Sequence, residues 1–163
     1  DPVRVDRTGA NEVHSPMTNA VVRRVGQAEH VTIAWADAAG ALMSADVVGG
    51  VPSAEQRVSD GPVVIDPGET TNLGAVAHLA AEGATVHALF ADSETQDIWY
   101  DARPDDGGFG TDVEVVDGVE TQWLTGSLVY ADGTGRRFLG FLYDTGPHGD
   151  NEGVIRYDEH PLA

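Results

Sequence analysis

Val31-Thr-Ile-Ala-Trp-Ala-Asp37, Val86-His-Ala-Leu-Phe-Ala-Asp92 and Phe138-Leu-Gly-Phe-Leu-Tyr-Asp144 read alike. Each is an apolar run closed by an aspartate, and the closing aspartates lie 55 and 52 residues apart. A second run follows each one: Gly40-Ala-Leu-Met-Ser-Ala-Asp46, Asp97-Ile-Trp-Tyr-Asp101 and Gly153-Val-Ile-Arg-Tyr-Asp158. A third run precedes each: Thr18 to Arg23, Asn72 to His78 and Leu124 to Tyr130. The offset from Val22 to Ile33, Ala77 to Ala88 and Val129 to Gly140 is 11 every time. A fixed period of this kind marks a chain built from repeated units.

A fourth run closes the first two units, Glu55 to Gly61 and Val113 to Gly118. The third unit has its counterpart at the other end of the chain, where Pro2-Val-Arg-Val-Asp6 has the same character. The reading is a single domain of three repeats, about 14–61, 69–118 and 121–163 plus 1–8. Val outnumbers Leu by 21 to 9, which favours pleated, half-buried strands. Asp60-Gly61, Asp117-Gly118 and Asp132-Gly133 punctuate the runs as turns. Only Ala75 to Glu82 has a helical look, and its place in the repeat argues for a strand. The expected fold is therefore all-β: three four-stranded antiparallel blades of a β-propeller, with the N-terminal strand completing the last blade.

Twenty-seven acids face nine bases, a net charge of −18, and every base is Arg. That balance repels phosphate, so neither nucleic acid nor an anionic membrane is an expected partner. No apolar run is long enough for a membrane-spanning helix. Cysteine is absent, which removes disulfides, thiol nucleophiles and Cys-ligated zinc together.

The stretch from Val86 to Gly110, with Ile98-Trp99-Tyr100 and the turn Asp106-Gly107-Gly108, resembles a blade of the sialidase-like propellers that carry bacterial neuraminidase (Asp-box) repeats. One blade carries the resemblance well and the other two loosely. It implies a binding site on the face formed by the inter-blade loops and the loops between second and third strands. Together with the missing Cys and Lys it implies an extracellular or cell-surface protein. Asp6, Arg7, Asp60, Asp66, Asp92, Ser93 and Glu94 are among the polar residues expected on that face. Sialidase chemistry would need an arginine cluster, a Tyr nucleophile and an acid. Arg7 is the one arginine expected there; Arg23 and Arg24 fall at the far end of an inner strand.

The expected ligand contacts are His14, Asn19, Glu69, Asn72, Thr121 and Trp123, with His148 and Asp150 at the rim. The repeat superposes His14, Glu69 and Thr121 near the ring axis. There His14 and Glu69 would hold a divalent metal. The segment Thr145 to Glu152 offers oxygen ligands for calcium without matching an EF-hand. Trp35, Trp99 and Trp123 are the candidate sugar-stacking platforms, with Trp35 expected in the core.

Three blades do not close a ring. Two chains about a twofold axis would make six, so a homodimer is expected, with Val3, Val5, Val31 to Asp37 and Met43 near the interface. A fragment of a longer propeller and a closed trefoil are the other architectures open at this point. The function read from these features is a non-catalytic module recognising glycan or protein; the alternative is a sialidase-like glycoside hydrolase.

Overall fold

The computed structural model describes residues 19–37, 39–63, 77–105, 107–118, 121–145 and 154–163, apart from the side chains of Gln122, Trp123 and Thr125. Among these residues every regular element is a strand, and no helix is long and apolar enough to cross a membrane. The strands form three separate antiparallel sheets.

The first sheet holds β1 (Asn19–Val25), β2 (Ala28–Ala36) and β3 (Ala41–Val48) in that order. The short β4 (Val51–Pro52) and β5 (Gln56–Pro62) both pair with β3. The second sheet runs β6 (Ala77–Glu82), β7 (Thr85–Ala91), β8 (Ile98–Arg103), β9 (Val113–Val116). The third runs β10 (Thr121–Ala131), β11 (Arg137–Thr145), β12 (Val154–Leu162). Ala77–Glu82 is a strand, as its position in the repeat required. Gly26 and Gly83 open the two-residue turns after β1 and β6 with φ of 60° and 58°. A residue without Cβ adopts that conformation without strain.

The sheets stack in sequence, β1 against β6 and β6 against β10. One core lies between the first and second sheets, where Ala34, Ala36 and Leu42 meet Val86, Ala88 and Phe90. The other lies between the second and third, where Leu89, Ala91 and Ile98 meet Leu139, Phe141 and Tyr143. The middle sheet is thus covered on both faces, which explains why β7 is apolar at successive positions and buried from Val86 to Ala91.

The constant offset of 11 does not mark cross-strand partners. Val22 pairs with Val31, Ala77 with Phe90 and Val129 with Leu139. The third repeat is also shifted by one residue relative to the alignment. Leu139 and Phe141 face the second sheet, whereas Gly140 was aligned with Ala88, which faces the first. The cause lies around β10: a wider turn before β11, and register breaks between Thr121, Leu124 and Gly126. A one-residue slip exchanges the two faces of a strand. Leu142, aligned with the buried Trp35 and Phe90, is accordingly 41% exposed.

Candidate functional site

Where the first two sheets meet at one end, a pocket of about 200 Å³ is lined by Asp60, Gly61, Phe90, Asp92, Trp99 and Asp112. Trp99 and Phe90 are cross-strand partners on β8 and β7, so their rings sit side by side on one face. Asp60 arrives from β5 and Asp112 from the segment entering β9, and the two clasp each other through the backbone. The Asp60 amide donates to Asp112 Oδ2 at 2.6 Å, and the Asp112 amide donates to Asp60 Oδ2 at 3.3 Å. Asp92 follows β7 and is held by the turn it forms. Its Oδ1 accepts from the amides of Glu94 (2.8 Å) and Thr95 (2.9 Å). Its Oδ2 lies beside Gly61, 3.5 Å from where a Cβ would stand, an ordinary van der Waals contact.

The pocket concentrates carboxylates without a cation in its lining. Burial pushes the Asp112 carboxyl up to about 6, and the neighbouring charges of Asp60 and Asp101 add to the shift; the Asp60 amide and Arg57 oppose it. Burial likewise raises Asp101, against the amides of Gly110 and Ala102 that bond its Oδ1. Gly110 permits that approach, since a Cβ there would stand 3.2 Å from the oxygen. Three buried polar atoms in this region have no hydrogen-bond partner among the described residues: Trp99 Nε1, Asp101 Oδ2 and Asp112 Oδ1. Buried polar groups are nearly always satisfied in a resting protein. Trp99 and Asp112 line the pocket, and their unpartnered atoms lie buried behind its surface, whereas Asp101 is outside the lining.

A second polar cluster is closed. Asp46 on β3 binds Arg23 Nη2 at 2.7 Å and Arg103 Nη2 at 2.6 Å, and accepts from Thr32 Oγ1 at 2.6 Å. Arg23 also donates to the carbonyls of Ala84 and Asp105, and Arg103 to Gln56 Oε1. Burial alone would raise the Asp46 carboxyl, but the Thr32 hydroxyl and the two guanidinium groups hold it at about 2. Arg23 and Arg103 are 3% and 1% exposed. They form an arginine pair, but Asp46 consumes it and neither reaches a pocket where a substrate carboxylate would lie. Their role is to bolt the first sheet to the second.

Between the second and third sheets, His87 Nδ1 lies 2.9 Å from the Tyr100 hydroxyl, and the Tyr100 and His160 rings are 4.6 Å apart. Glu82 completes this group, 3.9 Å from His87 Nε2 and 3.0 Å from Arg137. A third acidic group, Asp97, Glu114 and Asp117, brings its oxygens within 4.8 Å of one another, and Asp97 Oδ1 accepts from the Gly118 amide at 2.8 Å. It is the one group of described residues with spacing for a metal ion.

Of the residues expected to bind ligand, His14, Glu69, Asn72, His148 and Asp150 lie outside the described residues, as does the side chain of Trp123. The expected His14–Glu69 metal pair lies there too, as do Val3, Val5 and residues 146–152. Asn19 opens β1, and its Oδ1 accepts from the Leu79 amide at 3.3 Å, tying the first sheet to the second. Thr121 opens β10, fully buried, with its amide on the Gln96 carbonyl at 3.2 Å. Neither lines the pocket. Trp35 is 5% exposed, inside the fold. Asp60, Asp92 and Trp99 were on the expected loop face or among the expected platforms, though not in the expected ligand set. Asp112 carried no signal beyond its place after a glycine-rich turn.

No family model, curated protein or solved structure matches this chain.

Proposed function

We propose that the chain is a non-catalytic, propeller-type recognition module that binds a glycan in the Asp60–Asp92–Asp112 pocket. One observation carries this reading: the pocket joins two aromatic rings to three carboxylates, and two of its lining residues, Trp99 and Asp112, each keep a buried polar atom without a partner. A sugar ring offers hydroxyl donors to carboxylates, a hydroxyl acceptor to an indole and a C–H face to an aromatic ring. The acidic lining disfavours an anionic sugar, so the ligand class is a neutral or amino sugar rather than a sialic acid. In this reading the module is extracellular, Pro2–Asp6 pairs along β12 as the missing fourth strand, and two chains associate as half-rings.

The test is a glycan array with the wild-type chain and with Trp99→Ala and Asp92→Asn. Retention of neutral or amino sugars by the wild type, lost in both variants, supports the pocket. Binding that survives both places the site elsewhere.

One observation favours a second reading. Asp112 keeps its proton to about 6 within a pocket that also holds Asp60 and Asp92. Carboxyl groups with pKa values pushed apart are the acid and base of glycoside hydrolases. Turnover of fluorogenic glycosides, abolished by Asp112→Asn, would establish that reading in place of the first.

A further inference from the structure

We infer that the seam between the second and third sheets is an acid-operated release: protonation of His78, His87 and His160 undocks the third sheet while the first and second sheets stay joined. Strand alternation puts all three rings into that seam. His78 shares its face of β6 with Ala80, and His87 shares its face of β7 with Leu89 and Ala91, which pack on the third sheet. His160 is the cross-strand partner of Leu139, which packs on the second sheet, so it points back across the same seam. His78 Nδ1 lies 3.4 Å from Ser127 Oγ on β10. His87 Nδ1 lies 2.9 Å from the Tyr100 hydroxyl, and the Tyr100 ring stands 4.6 Å from that of His160. His87 is 4% exposed, and its Nε2 has no hydrogen-bond partner among the described residues.

The seam has little to offset new positive charge. Glu82 of β6 lies 3.9 Å from His87 Nε2, but Arg137 of β11 already holds it at 3.0 Å. Arg137 is itself a fixed cation beside the ring, and also donates to the Ala163 oxygen. On β12, Arg156 and Asp158 share the face of His160, are exposed, and offset each other. Tyr100 of β8 is neutral, its hydroxyl pushed up to about 12 by burial, and β10 offers the uncharged Ser127. Burial lowers all three histidines; at His87, Glu82 opposes the shift while Arg137 and His160 add to it. Each ring therefore takes a proton more readily once undocked. Docking is complete above 6.5 and weakens as pH falls.

The seam between the first and second sheets responds in the opposite sense. Arg23 and Arg103 are held there by Asp46, which stays ionised down to about 2. His30 has that same carboxylate 3.6 Å away as a counter-ion. Asp112, clasped to Asp60 across this seam, is raised to about 6 and favours docking as pH falls. Acid thus loosens one seam and spares the other. Release uncovers Leu89, Ile98, Leu139, Phe141 and Tyr143, contiguous apolar surface of the kind that marks an interaction site.

Amide hydrogen exchange of the full chain by NMR at pH 7 and pH 5, corrected for intrinsic exchange rates, reads each sheet separately. Protection in β10, β11 and β12 should fall by at least about tenfold, the factor one histidine contributes over one pH unit below 6.5. Protection in β2, β3 and β7 should hold. His160→Phe keeps a ring against Tyr100 and cannot charge, so it should lessen the fall. Adding His87→Gln and His78→Asn should abolish it; if that triple variant does not fold at pH 7, His160→Phe decides. Equal loss in all three sheets, full protection of the third sheet at pH 5, or an unchanged fall in His160→Phe overturns the inference. None of these outcomes bears on sugar binding by the pocket, which the array reads separately.

Discussion

Asp46 and Arg103 are 57 residues apart in the chain and meet at 2.6 Å in the interior. Arg23 grips the other oxygen of the same carboxylate, so one buried anion holds two buried cations from two sheets. Removing the anion strands both guanidinium groups. Removing one arginine leaves a balanced pair.

Asp46→Asn should therefore cost about 3–5 kcal/mol, the loss associated with an uncompensated buried charge. Arg103→Met should cost less. Urea unfolding at pH 7 checks the order, and a larger loss for Arg103→Met would contradict it. Because Asp46 is held at about 2 against an ordinary 3.8, its contribution is complete above 3.8. It is lost as pH falls through 2.

Asp112 has the opposite sign. Its carboxyl is raised to about 6, so between 3.8 and 6 the folded chain binds more protons than the unfolded chain. Its stabilising protonated form contributes fully below 3.8 and is lost as pH rises through 6. Asp112→Asn keeps an acceptor for the Asp60 amide and carries no charge. The variant should match or fall below wild type at pH 4 and gain relative to it towards pH 7 in the same unfolding assay. A constant difference across that range would show that the carboxyl does not titrate as described.

His78, His87 and His160 are all lowered, chiefly by burial. Around His87, Glu82 favours the charged form, while Arg137 and His160 oppose it. Neutral histidines of this kind contribute fully above 6.5, and the contribution is lost as pH falls through their folded values. In an Asp112→Asn, Asp101→Asn background, which removes the opposing slopes of both raised carboxyls, the urea midpoint should drop from pH 7 to pH 5. A flat profile would count against these rings being buried neutral.

The strands were legible because their signal is local: apolar runs, Val content and aspartate-glycine turns recur with the period of the unit. Face assignment was less so. The slip at β11 arises from the turn before it and the breaks in β10, which an ungapped alignment passes over. The pocket was half visible, since Asp60 and Asp92 end repeated runs and Trp99 is one of three tryptophans. Asp112 and the Asp46–Arg23–Arg103 cluster were not, because only sheet stacking brings residues some fifty apart into contact.

The pocket is tested most directly by following the indole N–H signals of the three tryptophans by NMR while titrating neutral and amino monosaccharides. If Trp99 Nε1 is the open donor, one signal should shift in a saturable manner, and that signal should be the one missing from Trp99→Phe. The shift should vanish in Asp92→Asn. Indole signals that stay fixed with every sugar, or a saturable shift that belongs to another tryptophan, would contradict the account.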